Sequence, residues 1–396
     1  MLMKVDIDRC IKCSICNAYC PVLKATALFP GPKLCGPDAE RFRRRLEGIP
    51  EDWLELCDYC KICERVCPHQ VPVAELHLRA RMNAGKVRQP SLRDWMFGHS
   101  DFLQKLGSWG APFSNWITRR AFFRWLLDRG LGIDARTGFP SYARQTFERW
   151  FHSRPPQDGV PVAYFHGCFT NTIEPDVGRA VVEVLEKNGF QITLPRQECC
   201  GLPLIGNGFF GLAAKLGQRN VESLTRTVGE GKEIVFSSPS CGMTLTLEYD
   251  RILNLKGIPA IAGHAHDIFQ FLLRLHELGK LNLDFREIKE VYFYHAPCHL
   301  RALAIGLPAL EILSLIPGLQ IIELPEGCCG LAGTYGFKKE KYEVAREIGH
   351  ELFEEIGRLN APTVVSDCEA CRLQIRHHTG VKTLHPIQIL RQAYGG

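Results

Sequence analysis

Eighteen cysteines in a 396-residue chain are the side chains most able to do chemistry, and seventeen of them fall into four groups. Cys10, Cys13, Cys16 and Cys20 are followed by Pro21, and Cys57, Cys60, Cys63 and Cys67 by Pro68, so each run reads C-x2-C-x2-C-x3-C-P. Three cysteines at every third position can wrap their thiolates around one iron–sulfur core. The fourth, beside proline, is turned away and ligates the other core of the pair. On that reading Cys10, Cys13, Cys16 and Cys67 hold one 4Fe-4S cluster, and Cys57, Cys60, Cys63 and Cys20 hold a second. The competing reading is a pair of zinc sites. Zinc takes four ligands, usually as two C-x2-C pairs across a longer loop, and fits a doubled run of four less well.

The other two groups each contain Cys-Cys-Gly: Cys168, Cys199, Cys200 and Cys241, then Cys298, Cys328, Cys329, Cys368 and Cys371. Adjacent cysteines in an extended chain point to opposite faces, so a vicinal pair converges on one site only at a bend. Gly201 and Gly330 make such a bend accessible. The second group offers five thiols, one more than a cubane needs, which suits a more open iron–sulfur assembly with one bridging sulfur. The first group has Thr244 at the position equivalent to Cys371 and keeps four, enough for a cubane, a zinc or nothing redox-active. A strained disulfide or inert buried thiols is the bland alternative, and the matched spacing of two copies argues against it. Cys35 stands alone with no assigned role.

These groups need elements to position them, and an internal repeat supplies the plan. Tyr164-Phe-His-Gly-Cys168 matches Tyr294-His-Ala-Pro-Cys298 about 130 positions on, Glu198-Cys-Cys-Gly-Leu202 matches Gly327-Cys-Cys-Gly-Leu331, Pro239-Ser-Cys241 matches Ser366-Asp-Cys368, and His266-Asp-Ile268 matches His385-Pro-Ile387. Residues 160–165 and 290–294 read as short buried strands ending at a cysteine. Residues 175–187 and 307–315 read as the helices that follow, and 232–237 and 362–365 as strands feeding the late cysteines. The fold expected is α+β: a helical two-cluster ferredoxin-like domain over 1–88, a connecting segment over 89–158, and small repeated α/β domains over 159–288 and 289–396. An amphipathic helix is predicted from Val73 to Met82. The 36 residues between the first two motifs point to the helical type of two-cluster domain.

Composition bounds the function. The chain is 45% hydrophobic and 23% charged, with a formal charge of +5, too mild for a nucleic-acid binder. No charged-then-apolar leader opens it, so the cysteines are expected to be reduced and cytoplasmic. No apolar run reaches the roughly 18–20 residues that span a bilayer. Residues 86–154 depart from this average, with 12 Lys+Arg against 5 Asp+Glu and five of the six tryptophans. From Trp116 to Leu127 a single helix would gather Trp116, Phe122, Phe123, Leu126 and Leu127 on one side, with Arg120, Arg124 and Asp128 on the other. That composition suits a helix lying in the headgroup region of an anionic membrane, or one packed against the α/β halves or a partner. Residues 41–45 read as a solvated basic helix face.

The Cys-x~30-Cys-Cys-Gly-x~40-Cys pattern resembles the cysteine-rich domain found in the B subunit of heterodisulfide reductase and in glycolate and lactate oxidase iron–sulfur subunits. Other stretches are similar to the iron–sulfur (C) subunits of the anaerobic glycerol-3-phosphate dehydrogenase family: Cys10-Ile-Lys-Cys13, Pro30-Gly-Pro-Lys33, Pro90-Ser-Leu-Arg93, Cys199-Cys-Gly-Leu-Pro203, Cys329-Gly-Leu-Ala-Gly-Thr-Tyr-Gly-Phe-Lys-Lys339 and Asp367-Cys-Glu-Ala-Cys371. The resemblance implies a subunit peripheral on the cytoplasmic face of the inner membrane, taking electrons from flavin-containing dehydrogenase subunits and passing them to menaquinone. It also implies a noncubane 4Fe-4S cluster on the second Cys-Cys-Gly set. The chain has no G-x-G-x-x-G opening a helix after a strand and no phosphate-cradling loop, so nothing in it accepts hydride. An electron relay is therefore expected, with His295 and His299, flanking Cys298, as candidate proton donors to a quinone. Three other readings remain at this point: a heterodisulfide-reductase-like catalytic subunit acting at the second Cys-Cys-Gly site, an iron–sulfur subunit of a glycolate or lactate oxidase, and a zinc-stabilised scaffold.

Overall fold

A computed structural model describes residues 7–43, 52–84 and 90–396. The expected boundary near residue 88, and Arg44 and Arg45 of the basic run, lie outside those residues. The described part combines a helical N-terminal module, a run of short helices, and two four-stranded parallel sheets.

In the first half the strands are β1 (Val160–Phe165), β2 (Phe190–Thr193), β3 (Glu233–Phe236) and β4 (Ala265–Asp267), in the order β2-β1-β3-β4. In the second half β5 (Val291–Tyr294), β6 (Gln320–Glu323), β7 (Thr363–Val365) and β8 (Lys382–Leu384) repeat the order as β6-β5-β7-β8. All pairings are parallel, and Val160 lies opposite Phe190 while Val162 lies opposite Glu233. A parallel sheet is covered on both faces, so its strands read as continuous apolar runs. Residues 162–165 are accordingly all buried.

This order explains where the thiols gather. From β1 the chain moves outward to β2, and from β3 it moves the other way to β4, leaving a crevice at the carboxyl ends of β1 and β3. Cys168 follows β1, Cys199 and Cys200 follow β2, and Cys241 follows β3; Cys298, Cys328 with Cys329, and Cys368 with Cys371 follow β5, β6 and β7. Cys168 and Cys298 stand a short turn beyond the ends of β1 and β5, rather than on them as the sequence suggested.

The two halves are joined about a pseudo-twofold relation. The Pro175–Lys187 helix of the first packs against Pro386–Ala393 of the second, and Ile268–Glu277 packs against Pro308–Leu313. One apolar core, including Tyr164, Val181, Leu185, Phe269, Tyr294, Ile312 and Leu390, belongs to both. The repeat register shifts by one at its last landmark. Asp267 caps the helix after β4 by accepting from Phe269 N at 2.9 Å, and His385, not Pro386, does the same after β8, its Nδ1 accepting from Ile387 N at 3.0 Å.

Two sequence expectations change. The Val73–Ala84 helix is not amphipathic: residues 73–78 are all buried, because the helix runs between the N-terminal module and the rest of the protein. Trp116 to Leu127 is not one helix but the ends of two, Ala111–Thr118 and Ala121–Leu131, broken at Arg119–Arg120. The second turns its charged side, not its aromatic one, toward the body. Arg124 donates from Nε to Thr118 O at 2.8 Å and Asp128 pairs with Lys339, so both face the body, while Phe122, Trp125 and Leu126 face outward.

The N-terminal module is clamped to the first half by a buried carboxylate. Glu248, fully buried, accepts from Tyr59 OH at 2.5 Å and pairs with the Lys61 ammonium, itself buried. Removing one partner of such a pair strands a charge in a low-dielectric interior, so Lys61→Met should cost on the order of 3–5 kcal/mol in denaturant titration; a cost near zero would show that the pair contributes nothing. The two Cys-Cys-Gly bends give a second comparison. Gly330 has φ +87° and a Cβ there would lie 1.9 Å from Ala345 O, whereas Gly201 has φ +91° and its nearest neighbour would be 3.4 Å away. Gly201→Ala should lose about 1–2 kcal/mol from left-handed backbone alone, and Gly330→Ala clearly more. Equal shifts in unfolding midpoint would refute the collision.

Candidate metal centres

The C-x2-C-x2-C loops are built with the same unusual backbone. Lys12 and Ser14 flank Cys13 with φ of 61° and 65°, and Tyr59 and Lys61 flank Cys60 with φ of 60° in both. Non-glycine residues in this region cost of order 1–3 kcal/mol each and persist only where the surroundings over-determine them. The double reversal turns three successive thiols toward one point. No sequence signal marked these four residues, since none is glycine, asparagine or aspartate.

Thiols from both loops meet at two cavities. One is lined by Cys10, Cys13, Cys16 and Cys67 with Pro37, Val71 and Val73. A second is lined by Cys20, Cys57, Cys60 and Cys63 with Phe29, Val73 and His77. Val73 walls both. Burial pushes the Cys20 thiol up to about 12, and Cys60 and Cys63 well above the ordinary thiol range. Thiols so placed become thiolates only when a bound cation offsets the desolvation.

In the first half the thiols of Cys168, Cys199, Cys200 and Cys241 interact in a row, and in the second half those of Cys298, Cys328, Cys329, Cys371 and Cys368 do likewise. Neighbouring thiols hold Cys199 and Cys329 well below the usual range, each flanked by two donors. Thr244, standing where a fifth cysteine would be, is fully buried and donates its hydroxyl to Ser240 O at 2.8 Å. It begins a π-helical turn, Thr244–Glu248, whereas Cys371 sits in a regular helix, Glu369–Thr379. Among the described residues no three Cys, His, Asp or Glu side chains close on one point as a single metal ion requires. In the two N-terminal sets four thiols line one cavity each, which suits a polynuclear core.

The four sets adjoin one another. Cys16 and Cys63 are within electrostatic reach across the two N-terminal cavities. Asp58 joins the second cavity to the second half: its Oδ1 accepts from Cys60 N at 3.2 Å and its Oδ2 from Cys328 Sγ at 3.2 Å. Ser240, beside Cys241, joins the halves, with its Oγ 3.0 Å from His299 Nδ1 and 3.7 Å from Cys368 Sγ. Sequence reasoning missed Asp58 and Ser240; the one available hint was an acidic residue directly after the first cysteine of the second motif, where the first motif has Ile11. His299 also reaches Tyr59 O at 3.3 Å from Nε2. His295 is fully buried with neither ring nitrogen hydrogen-bonded, and burial lowers it to about 4. Neither imidazole lines one of the four principal cavities. Cys35 is fully buried and packs in the same apolar cluster as Cys20, Cys60 and Phe29, though it lines none of the four cavities.

Comparisons with known proteins agree with this architecture. A 4Fe-4S dicluster domain matches residues 6–71, and a cysteine-rich domain matches residues 162–246 and again 292–376. The chain is 27% identical to the B subunit of fumarate reductase (CoM/CoB) from Methanothermobacter marburgensis over 97% of its own length and 72% of that protein. It is 24% identical to the D subunit of dihydromethanophenazine:CoB–CoM heterodisulfide reductase from Methanosarcina barkeri, over 93% and 88%. To the C subunit of anaerobic glycerol-3-phosphate dehydrogenase from Escherichia coli (strain K12) the identity is 38%, sustained over 98% of both chains. With that similarity running nearly end to end through the doubled cluster motif and both Cys-Cys-Gly halves, the chain belongs to the family of the anaerobic glycerol-3-phosphate dehydrogenase C subunit.

Proposed function

We propose that this chain is the electron-transfer subunit of a quinone-linked dehydrogenase, carrying electrons from flavin-containing subunits that oxidise glycerol 3-phosphate to menaquinone at the cytoplasmic face of the membrane. The observation that carries this reading is the unbroken row of four thiol sets, each adjoining the next. When bound, clusters at these sites supply one-electron redox chemistry. The chain's own residues do the rest. Cys10, Cys13, Cys16 and Cys67 are the proposed ligands of one 4Fe-4S cluster, and Cys57, Cys60, Cys63 and Cys20 of the other. Cys298, Cys328, Cys329, Cys368 and Cys371 are proposed to hold a noncubane cluster; Cys168, Cys199, Cys200 and Cys241 hold a further cluster or a zinc. His299, bonded to both Ser240 and Tyr59, fixes the junction between sites, and with His295 it is a proposed source of protons beside Cys298.

The connecting segment supports the membrane end of the proposal. Trp109 is 89% exposed, Phe122 73%, Trp125 53% and Trp116 51%, with Phe102, Leu106 and Phe113 also outward. Phe113 stacks on Trp116 and Phe122 on Trp125, and Arg120 lies 4.4 Å over the Trp116 ring. Aromatic rings interleaved with arginine suit the headgroup layer. Among the described residues no helix is long and apolar enough to cross a membrane, so the contact proposed is a lateral one. Disulfide reduction at the second Cys-Cys-Gly site is the second reading, favoured by its five thiols; the outward aromatic surface gives it no support.

Three measurements bear on this. Anaerobically isolated protein should contain about eight irons from its N-terminal sites and about four more for each loaded Cys-Cys-Gly site, and Cys13→Ala should remove about four; zinc in place of iron would defeat the relay. In the complex with its flavoprotein, sn-glycerol 3-phosphate should bleach the iron–sulfur absorbance and a menaquinone analogue restore it. Bleaching by lactate or glycolate alone would keep the relay and change the partner, and silence with all three would favour the disulfide reading. Replacing Trp109, Phe122 and Trp125 together with serine should weaken partition into anionic vesicles by roughly two orders of magnitude; unchanged sedimentation with vesicles would refute the membrane contact.

A further inference from the structure

Of the four principal cavities one holds no cysteine and is the largest, about 380 Å³ and partly open to solvent. Its apolar walls are Phe139, Ile173 and Leu373, and its polar walls are Ser141, Arg376 and His377. It lies between two features already described. On one side, Leu373, Arg376 and His377 come from the Glu369–Thr379 helix that carries Cys371, and Leu373 packs in the same apolar cluster as Cys329, Cys368 and Cys371. His377 is six residues from Cys371, roughly 9 Å along the helix. On the other side, the rim is sewn to the aromatic helices: Asn115 Nδ2 donates to Tyr142 O at 2.9 Å, Tyr142 N donates to Asn115 Oδ1 at 2.7 Å, and Arg119 donates to Ser141 Oγ at 3.3 Å. Arg124, on the inner face of the Ala121–Leu131 helix, sits 5.8 Å over the Phe139 ring.

We infer that this cleft binds the ring of a quinone of the two-ring naphthoquinone class, entering from the aromatic face and stopping against the second Cys-Cys-Gly site. The inference rests on the quinone-linked reading above and gives it a place. A flat bicyclic ring needs an aromatic wall, which Phe139 offers, and donors for its carbonyl oxygens. His377 is held by Tyr342 OH at 3.1 Å from Nε2, and its ring packs directly on Gly138, where a Cβ would lie 2.9 Å from the His377 Cβ. Glu174, also in the wall, is occupied by Arg372 at 2.6 Å and does not compete for those donors. Reduction of the quinone to the quinol takes two electrons, delivered singly from the Cys371 side after the flavoprotein has reduced the relay, and two protons. His377, in the cleft wall itself, passes these on one at a time and regains each from solvent at the open mouth, while His295 and His299 line no part of this cleft.

The test is direct binding of 2-methyl-1,4-naphthoquinone to the iron–sulfur-loaded protein by equilibrium dialysis, with Ser141→Trp filling the rim and His377→Phe removing the donor. The visible iron–sulfur absorbance reports that each variant is folded and loaded. We expect wild type to bind and both variants to bind at least tenfold more weakly. Binding by both variants at wild-type strength would overturn the cleft while leaving the quinone-linked reading intact. So would absent binding by wild type if the complex in menaquinone vesicles still forms quinol from glycerol 3-phosphate. Absent binding together with absent quinol would overturn both.

Discussion

The buried Glu248 carboxylate is the contact on which the rest of the arrangement depends. It is desolvated and so must be matched, and Lys61 and Tyr59 match it from the loop that carries Cys60. Holding that loop against the first half fixes Asp58 two residues earlier, which meets Cys328 of the second half. One charge in the interior therefore sets the spacing of three thiol sets. The π-helical turn that delivers Glu248 begins at Thr244, the very position where the repeat loses its fifth cysteine. In the first half a ligand position has become part of a clamp.

Chemistry tied to spacing was the most readable part of the chain. The C-x2-C-x2-C-x3-C-P run led to the expectation of ligands exchanged between motifs, and Cys67 lines the cavity of Cys10, Cys13 and Cys16 while Cys20 lines the other. The paired repeat and its alternating strands and helices led to a small α/β unit used twice, and each unit is built on a parallel sheet. Less was readable where a residue's partner lies far off in sequence. Val73–Ala84 reads as amphipathic only if one face meets water, and tertiary packing covers its first turns on every side. Asp58 has an unremarkable local setting, and its neighbour Cys328 is 270 positions away.

The connecting segment shows the same limit from the opposite direction. Its aromatic and basic composition marked it as a contact surface, but not which side meets the body. Arg124 and Asp128 are spent on Thr118 O and Lys339, leaving Phe122, Trp125 and Leu126 outward. A helix that turns two of its charged side chains inward and its rings outward partly reverses the polarity of a globular surface. Such reversal is visible only once the protein body it leans on is known.

The unequal exposure of single thiols at the two N-terminal sites carries a consequence for what solvent can reach. Cys13 is exposed, whereas Cys20 and Cys60 are buried beneath the halves that Glu248 and Asp58 hold in place. A cluster held at the outer site would keep the Cys13 edge at the surface, whereas one at the inner site would be enclosed by protein on its Cys20 and Cys60 side. Oxygen and small oxidants would therefore meet the outer site at its Cys13 edge.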